Sequence, residues 1–470
     1  MNGNDQVLGG NIAKSMIVNV QAIDLFERSV PYRLPFRFGD VTNWEASQLF
    51  VRVRLEDSSG KQFVGWSAEL MASRWFDKTV GKSRNENISD LAYSTQLAAQ
   101  LYLKADPQSP FDYYIGSYDL HRARAAEKQL NPLVAGFGMA VIDRAIVDAY
   151  CQMSGVSFFE AVRTNMLGLH TNHPHLSDLG GFDLKAFLAQ LEPVSQIAVR
   201  HTVGYLDPIE GSEDDTLDLQ TIISKQKLQY FKIKLSGEID ADLNRLKLLA
   251  ACLDVSCPQG YQVTLDGNEQ FASVSVLQDL LERVKATKGL EQFWKALIFI
   301  EQPLDRSITF SEHLPDSIGK PLIIDEADDS LDAFPRAYAA GYRGVSIKSC
   351  KGIYKAILNA ARAAKYGSNV FISAEDLTMQ PGIAVQQDLA VTTLLGLSHG
   401  ERNGHHFAEG FAGAPAEEAN AFLAAHPDLY GRENGHVRLK IKNGMLSTES
   451  LALPGFAHGA EPRLESLKPL

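Results

Sequence analysis

The stretch QYFKIKLSGE, Gln229–Glu238, sets two lysines one residue apart inside an apolar run. Alternate residues of an extended strand face the same side. Lys232 and Lys234 therefore share one face, and Phe231, Ile233 and Leu235 share the other. Taken alone, the pattern equally describes an edge strand with its lysines in water. The neighbouring segments decide between the two readings.

From about residue 195 short apolar segments alternate with amphipathic ones. The strand candidates are IAVRHTVGY, YFKIKLS, YQVTLDGN, ALIFIEQP, PLIIDEA, GVSIKSC and NVFISAED. Between them lie helical stretches such as DADLNRLKLLAACLD and VSVLQDLLERVKA. This is the rhythm of repeated βα units building a parallel sheet. No glycine-rich dinucleotide turn follows any strand, so a (β/α)-barrel is expected rather than an open sheet.

From Lys232/Lys234 onward each candidate closes on a polar, mostly ionisable residue. The ends are Lys232 with Lys234, Asp266 with Asn268, Glu301, Asp325-Glu326, Lys348, and Glu375-Asp376. They recur at intervals of about 23 to 35 residues. In a barrel the C-terminal strand ends converge on one place, where active sites sit. A merely solvated surface would not put one charge at the same position of successive apolar strands.

Three carboxylates from neighbouring strands make a hard oxygen site that suits Mg²⁺, with Mn²⁺ as the alternative. Lys234 and Lys348 flank them in strand order. That set permits abstraction of the proton α to a substrate carboxylate, with the enediolate charge met by metal and nearby cations. A lysine acting as base must be neutral, and a neighbouring positive charge favours that. Lys234 is read as the base, and Lys232 as the charge that tunes it and holds the carboxylate.

The motifs KIK (232–234), LDGN (265–268), IEQP (300–303), DEA (325–327) and IKSCKG (347–352) resemble those of the enolase superfamily, in its muconate-lactonizing-enzyme and dipeptide-epimerase-like branch. The resemblance extends along the chain: RLPFRFG and GWSAELMASRWF look like an N-terminal capping domain, and LPGFAHG like a returning tail. It implies a modified TIM barrel with an N-terminal α+β cap completed by the C-terminal tail. The expected division is a cap over 14–140, a barrel over 141–425 and a returning segment over 426–470. It also implies Asp266, Glu301 and Asp325 as metal ligands, and Lys234 and Lys348 as the acid/base pair. Asn268, Glu326, Glu375 and Asp376 would support the site or meet the substrate. Two facing lysines make racemisation or epimerisation the first expectation. Cycloisomerisation or dehydration on the same skeleton is the alternative, and a non-catalytic barrel descendant is the rival class. A homo-oligomer is expected on the same ground.

Composition agrees with a globular enzyme. The chain has 470 residues, 45% hydrophobic and 22% charged, with formal charge −12. That charge argues against nucleic acid, which needs clustered Lys and Arg. The four cysteines form no CxxC pair, which with the absence of an apolar leader core points to the cytoplasm. No apolar run approaches a membrane span. Residues 1–13 read as a loose leader. A hairpin is expected around Ser58-Ser59-Gly60, helices over 83–165, and at HVRLKIKNGMLSTESLALPGFA a strand, an Asn443-Gly444 turn and a tail that could return to pair with the N-terminal sheet. Lys351 reads as a solvated lysine and Cys350 as packing. His405-His406 read as surface or packing residues that could alternatively meet the substrate. Trp75 reads as a cap-core or pocket-wall residue, and Arg37 as a salt-bridge residue or a holder of a distal anion.

Overall fold

The computed structural model describes residues 17–38, 41–211, 218–377 and 379–470, without the side chains of 35–38 and 41–43. The leader over 1–13 and the side chain of Arg37 lie outside the described residues.

The chain begins with β1 (Asn19–Phe38), β2 (Val41–Glu56) and β3 (Gln62–Leu70), an antiparallel meander. The turn between β2 and β3 falls at Asp57–Gly60, where Asp57 accepts from the Ser59 amide and Gly60 takes φ +84°. Helices follow, each started by its own sequence. Ser83 and Glu86 form a capping box at Arg84–Tyr102, Ser109 caps Pro110–Glu127, and Asn131 caps Pro132–Ser154. Gly155 ends the last in the left-handed conformation. That helix packs on β3 so closely that a Cβ on Gly65 would stand 2.2 Å from the Ala145 carbonyl oxygen.

The barrel consists of eight parallel strands. They are β4 (Gln196–Val203), β5 (Tyr230–Lys234), β6 (Gln262–Asp266), β7 (Leu297–Glu301), β8 (Leu322–Ile324), β9 (Gly344–Ile347), β10 (Phe371–Ala374) and β11 (His399–Glu401). Pairing of β11 with β4 closes it. Two ring pairs join its strands: Tyr230 stacks on His399 with ring centroids 4.8 Å apart, and Phe299 meets Phe371. Arg200 lies over Phe299 and reaches His399 Nδ1 at 2.9 Å.

The C-terminal segment returns to the N-terminal sheet through its tail, and HVRLKIKNGMLS itself pairs elsewhere. Its first part, β13 (His436–Leu439), forms a hairpin with β12 (Tyr430–Glu433). Its last part, β14 (Met445–Ser447), adds antiparallel to the start of β4. The return to the N-terminal sheet is made by β15 (Lys468–Pro469), which pairs with Phe26 and Glu27 of β1. Before it, Phe456 stacks on Phe158 at 3.9 Å, and Asp148 takes the Phe456 amide. No helix among the described residues is long and apolar enough to cross a membrane.

Candidate active site

Register builds the site. Lys234, Asp266 and Glu301 are consecutive partners across β5, β6 and β7, so their side chains enter one row at the barrel mouth. Asp325 follows just past the end of β8, its amide held at 2.8 Å by Gln302 Oε1. Close packing fixes the turn after β6: a Cβ on Gly267 would come within 2.7 Å of the Pro303 Cα.

Lys232 is the hub. Its ammonium lies 2.7 Å from Glu301 Oε2, 2.9 Å from Asp266 Oδ2, 2.9 Å from Glu375 Oε2 and 3.0 Å from Glu401 Oε2. Its side chain is 1% exposed. Burial opposes its charge, but the four carboxylates outweigh burial and keep the amine protonated well above the ordinary lysine range.

Lys234 meets Asp266 Oδ2 and Asn268 Oδ1, both at 2.6 Å. At the other end Lys348 meets Asp325 Oδ2 at 2.5 Å. Glu301 lies between these two ends in strand order. Burial, then Asp266 and Glu375, push its carboxyl well above the usual range. Neither of its oxygens has a partner in hydrogen-bonding geometry, although the Lys232 ammonium is near. Asp325 behaves oppositely. Burial would raise it, but Lys348, Lys351 and Lys232 outweigh burial and hold it well below the usual range.

The two lysines differ in access. The Lys234 side chain is 24% exposed, that of Lys348 only 3%. Lys348 is roofed by Trp75 from the cap, its Nζ 4.5 Å from the ring centroid. Such a contact contributes about 0.5–2 kcal/mol.

Among the described residues no group of three or more His, Cys, Asp or Glu side chains is arranged to hold a metal ion as it stands. Ammonium groups occupy the carboxylates instead: Lys232 on Asp266 and Glu301, and Lys348 and Lys351 on Asp325. The donor set nonetheless fits a hard divalent cation. It offers three carboxylates, and the central one is buried with both oxygens free of hydrogen bonds.

The other expected residues fall into place as follows. Asn268 Nδ2 donates to Glu326 Oε1 at 3.2 Å, so Glu326 turns toward Asn268 while Asp325 turns toward the lysines. Glu375 enters the barrel to meet Lys232 and Arg200. Asp376 faces elsewhere, accepting from the Asn403 amide at 2.8 Å, and burial pushes it up to about 6. His405 and His406 make no hydrogen bond to the carboxylates. His406 packs edge-on against His201 at 5.4 Å, and burial pushes both residues of the pair down to about 3. Cys350 is buried, and burial pushes its thiol up.

Lys351 requires correction. It is not solvated: its side chain is 1% exposed. The turn Ser349–Lys351 folds it back under β9, where Nζ donates to the Ser346 carbonyl at 2.6 Å and to Asp325 Oδ1 at 3.2 Å.

Sequence reasoning missed Glu401, Arg200 and Thr202. Thr202 Oγ1 donates to Glu401 Oε1 at 2.5 Å, and Arg200 pairs with Glu375. Glu401 closes a strand too short and polar to stand out, yet it falls one regular interval after Glu375. That interval was the available signal.

No family model matches the sequence, and no curated protein matches it at a significant level. Solved structures do match. One is an enolase from Bradyrhizobium complexed with magnesium and mandelic acid, 15% identical, with TM-score 0.59 over 96% of this chain and 97% of that one. Another is a member of the enolase superfamily from Listeria innocua, 14% identical, with TM-score 0.59 over 95% and 96%. A third is a muconate lactonizing enzyme from Pseudomonas fluorescens complexed with muconolactone, 16% identical, with TM-score 0.56 over 96% and 98%. At these identities the likeness is one of architecture: a closed eight-stranded barrel capped by an antiparallel sheet that the C-terminus completes. The chain has the fold of the enolase superfamily.

Proposed function

We propose that the protein is a Mg²⁺-dependent enzyme that removes the proton α to the carboxylate of a small acid. One observation carries this reading. Glu301 is buried between Asp266 and Asp325 with both oxygens free of hydrogen bonds, and a lysine stands at each end of that row. The magnesium and mandelic acid in the Bradyrhizobium structure support it.

Asp266, Glu301 and Asp325 would hold the ion, Mg²⁺ or Mn²⁺. When bound, it would supply positive charge against the negative charge that develops on the substrate carboxylate. Lys234, the more open amine, takes the α-proton, and Asn268 orients it. Lys348 stands on the other flank and returns a proton to the opposite face, which gives racemisation or epimerisation. Lys232, with Glu375 and Glu401 behind it, sets the charge balance beneath the row. Glu326 and Asp376 are read as supports for the loops that carry the site.

A second reading follows from the exposure difference. With Lys348 sealed under Trp75, Lys234 acts as the single base and Lys348 as a fixed cation, which suits cycloisomerisation or dehydration. The test is a panel of dipeptides, acylated amino acids and sugar acids in D₂O with Mg²⁺, followed by NMR at the α-position. Deuterium entering both epimers supports two-base chemistry. Deuterium or elimination on one face supports the second reading. If Lys234→Ala leaves exchange of a responsive substrate unchanged, both fail. The same reading takes the protein as a cytoplasmic homo-oligomer, with a cap over 14–140, a barrel over 141–425 and a returning segment over 426–470. Light scattering and limited proteolysis check the assembly and the division.

A further inference from the structure

We propose that Glu269 is a positioning residue that, through Arg306 and Lys78, docks the cap segment Ser73–Lys78 on the barrel mouth and so lays Trp75 over Lys348. The significance given to Lys348 rests on the function proposed above, but the docking itself does not.

Glu269 follows Asn268 in the loop after β6. Both residues take positive φ, +41° at Asn268 and +72° at Glu269. Side chains seldom adopt that region, and it persists only where the surroundings over-determine it. Here the surroundings are explicit. The Glu269 amide donates to the Gln302 carbonyl at 2.8 Å. Its carboxylate, 3% exposed, is clasped by Arg306, with Nε at 2.7 Å from Oε1 and Nη2 at 2.9 Å from Oε2. The Arg306 amide adds a third bond to Oε1 at 2.8 Å. A fork held on both sides has its remaining donors aimed. They point at the cap: Nη1 donates to the Phe76 carbonyl at 3.0 Å and Nη2 approaches the Trp75 carbonyl at 3.4 Å.

Lys78 closes the arrangement from the cap side. Its Nζ lies 2.6 Å from Glu269 Oε2, 3.0 Å from the Asn268 carbonyl oxygen and 3.2 Å from Glu326 Oε1. Asn268 holds Lys234, and Glu326 neighbours Asp325. The Lys78 ammonium, held by Glu269, thus ties the cap segment to the loops at both ends of the carboxylate row. The helix it anchors, Ser73–Phe76, has four residues and no side-chain cap. So short a helix does not hold itself in place: Phe76 seats it edge-on against Phe137, and the Arg306 and Lys78 contacts fix it on the barrel mouth. Glu269 touches none of the presumed reacting groups, so its influence is exerted through Trp75 and Asn268.

The test is hydrogen exchange, followed by mass spectrometry, in wild type and Glu269→Gln. The amides of Trp75 and Asp77 bond within the segment. They should exchange at least tenfold faster in the variant, while peptides from β6 to β9 keep wild-type rates. Arg306→Lys, which keeps the charge but loses the fork, should give the same local effect with less risk to folding. A red shift of tryptophan emission should accompany it and vanish in the Trp75→Phe background. Exchange within twofold of wild type over 72–79 in both variants would overturn the proposal. So would an emission shift that persists without Trp75. None of these readouts requires a substrate, so they stand apart from the fate of the proposed activity.

Discussion

Lys232→Met removes one ammonium and keeps a long apolar stem. In the structure that ammonium serves four carboxylate oxygens at 2.7–3.0 Å, from Asp266, Glu301, Glu375 and Glu401. All four carboxylates are nearly inaccessible to solvent. Removing one partner of a buried charge cluster costs about 3–5 kcal/mol, because the remaining charges stay desolvated. Arg200 remains beside Glu375, and Lys234 beside Asp266, so the upper part of that range is not expected. The assay is urea unfolding of metal-free protein at pH 8 and pH 5. Without the cation the carboxylates rise in pKa, so the folded variant binds more protons than the unfolded chain. Its stability then falls as pH rises, by about 1.4 kcal/mol per pH unit for each extra proton held. The deficit against wild type should therefore be larger at pH 8 than at pH 5, and excess Mg²⁺ should recover part of it. A deficit under about 1 kcal/mol, or one independent of pH, would refute the reasoning.

Other expectations follow from neighbouring groups. Glu301 is held well above the usual carboxylate range, so a cation bound to its ionised form must displace its proton. Mg²⁺ affinity should strengthen with rising pH, by up to about tenfold per unit below the Glu301 pKa, and calorimetry in two buffers should detect proton release; identical heats after buffer correction would contradict this. Lys234→Ala should lower α-proton exchange of a responsive acid by about 10²–10⁴-fold, the usual contribution of a positioned base. Arg144→Met would leave Glu69 buried and unpaired, since both side chains are 0% exposed at 2.9 Å, and should cost about 3–5 kcal/mol in urea unfolding. In the wild type, burial already pushes Glu69 up to about 7. Its contribution to stability should accordingly fall as pH rises from the unfolded carboxylate range toward 7, and Glu69→Gln should flatten that slope.

The barrel was legible where an apolar run ended abruptly in a charge. ALIFI before Glu301 and PLII before Asp325 announce buried strands, because both faces of such strands are covered. His399–Glu401 gives no such signal: three residues, two of them polar, make a strand only because β10 and β4 are already in place to pair with it. The same holds for Lys468–Pro469, whose role depends on an edge of β1 that no local pattern reveals. HVRLKIKNGMLS alternates well enough to be a strand, but alternation does not name a partner, and the segment divides between a hairpin and β4.

Within the site, Asp325 and Glu326 lie just past the end of β8 and turn to different partners, Lys348 and Asn268, a divergence that strand period alone does not dictate. Lys351, read as solvated, also lies beyond its strand, where a tight turn returns its side chain to Ser346 and Asp325. Nor does strand period foresee that Lys232 would be drawn among four carboxylates. That placement follows from closure of the barrel, which brings Glu375 and Glu401 opposite Lys232 across a low-dielectric interior.

If Asp266, Glu301 and Asp325 form one divalent-cation site between Lys234 and Lys348, anomalous diffraction from crystals soaked in Mn²⁺ will locate the ion there. A single strong peak is expected within about 2.0–2.6 Å of oxygens from all three carboxylates, with the Lys232 ammonium withdrawn from Asp266 and Glu301. A map with no peak there, and Lys232 still seated on both carboxylates at saturating metal, would contradict that assignment.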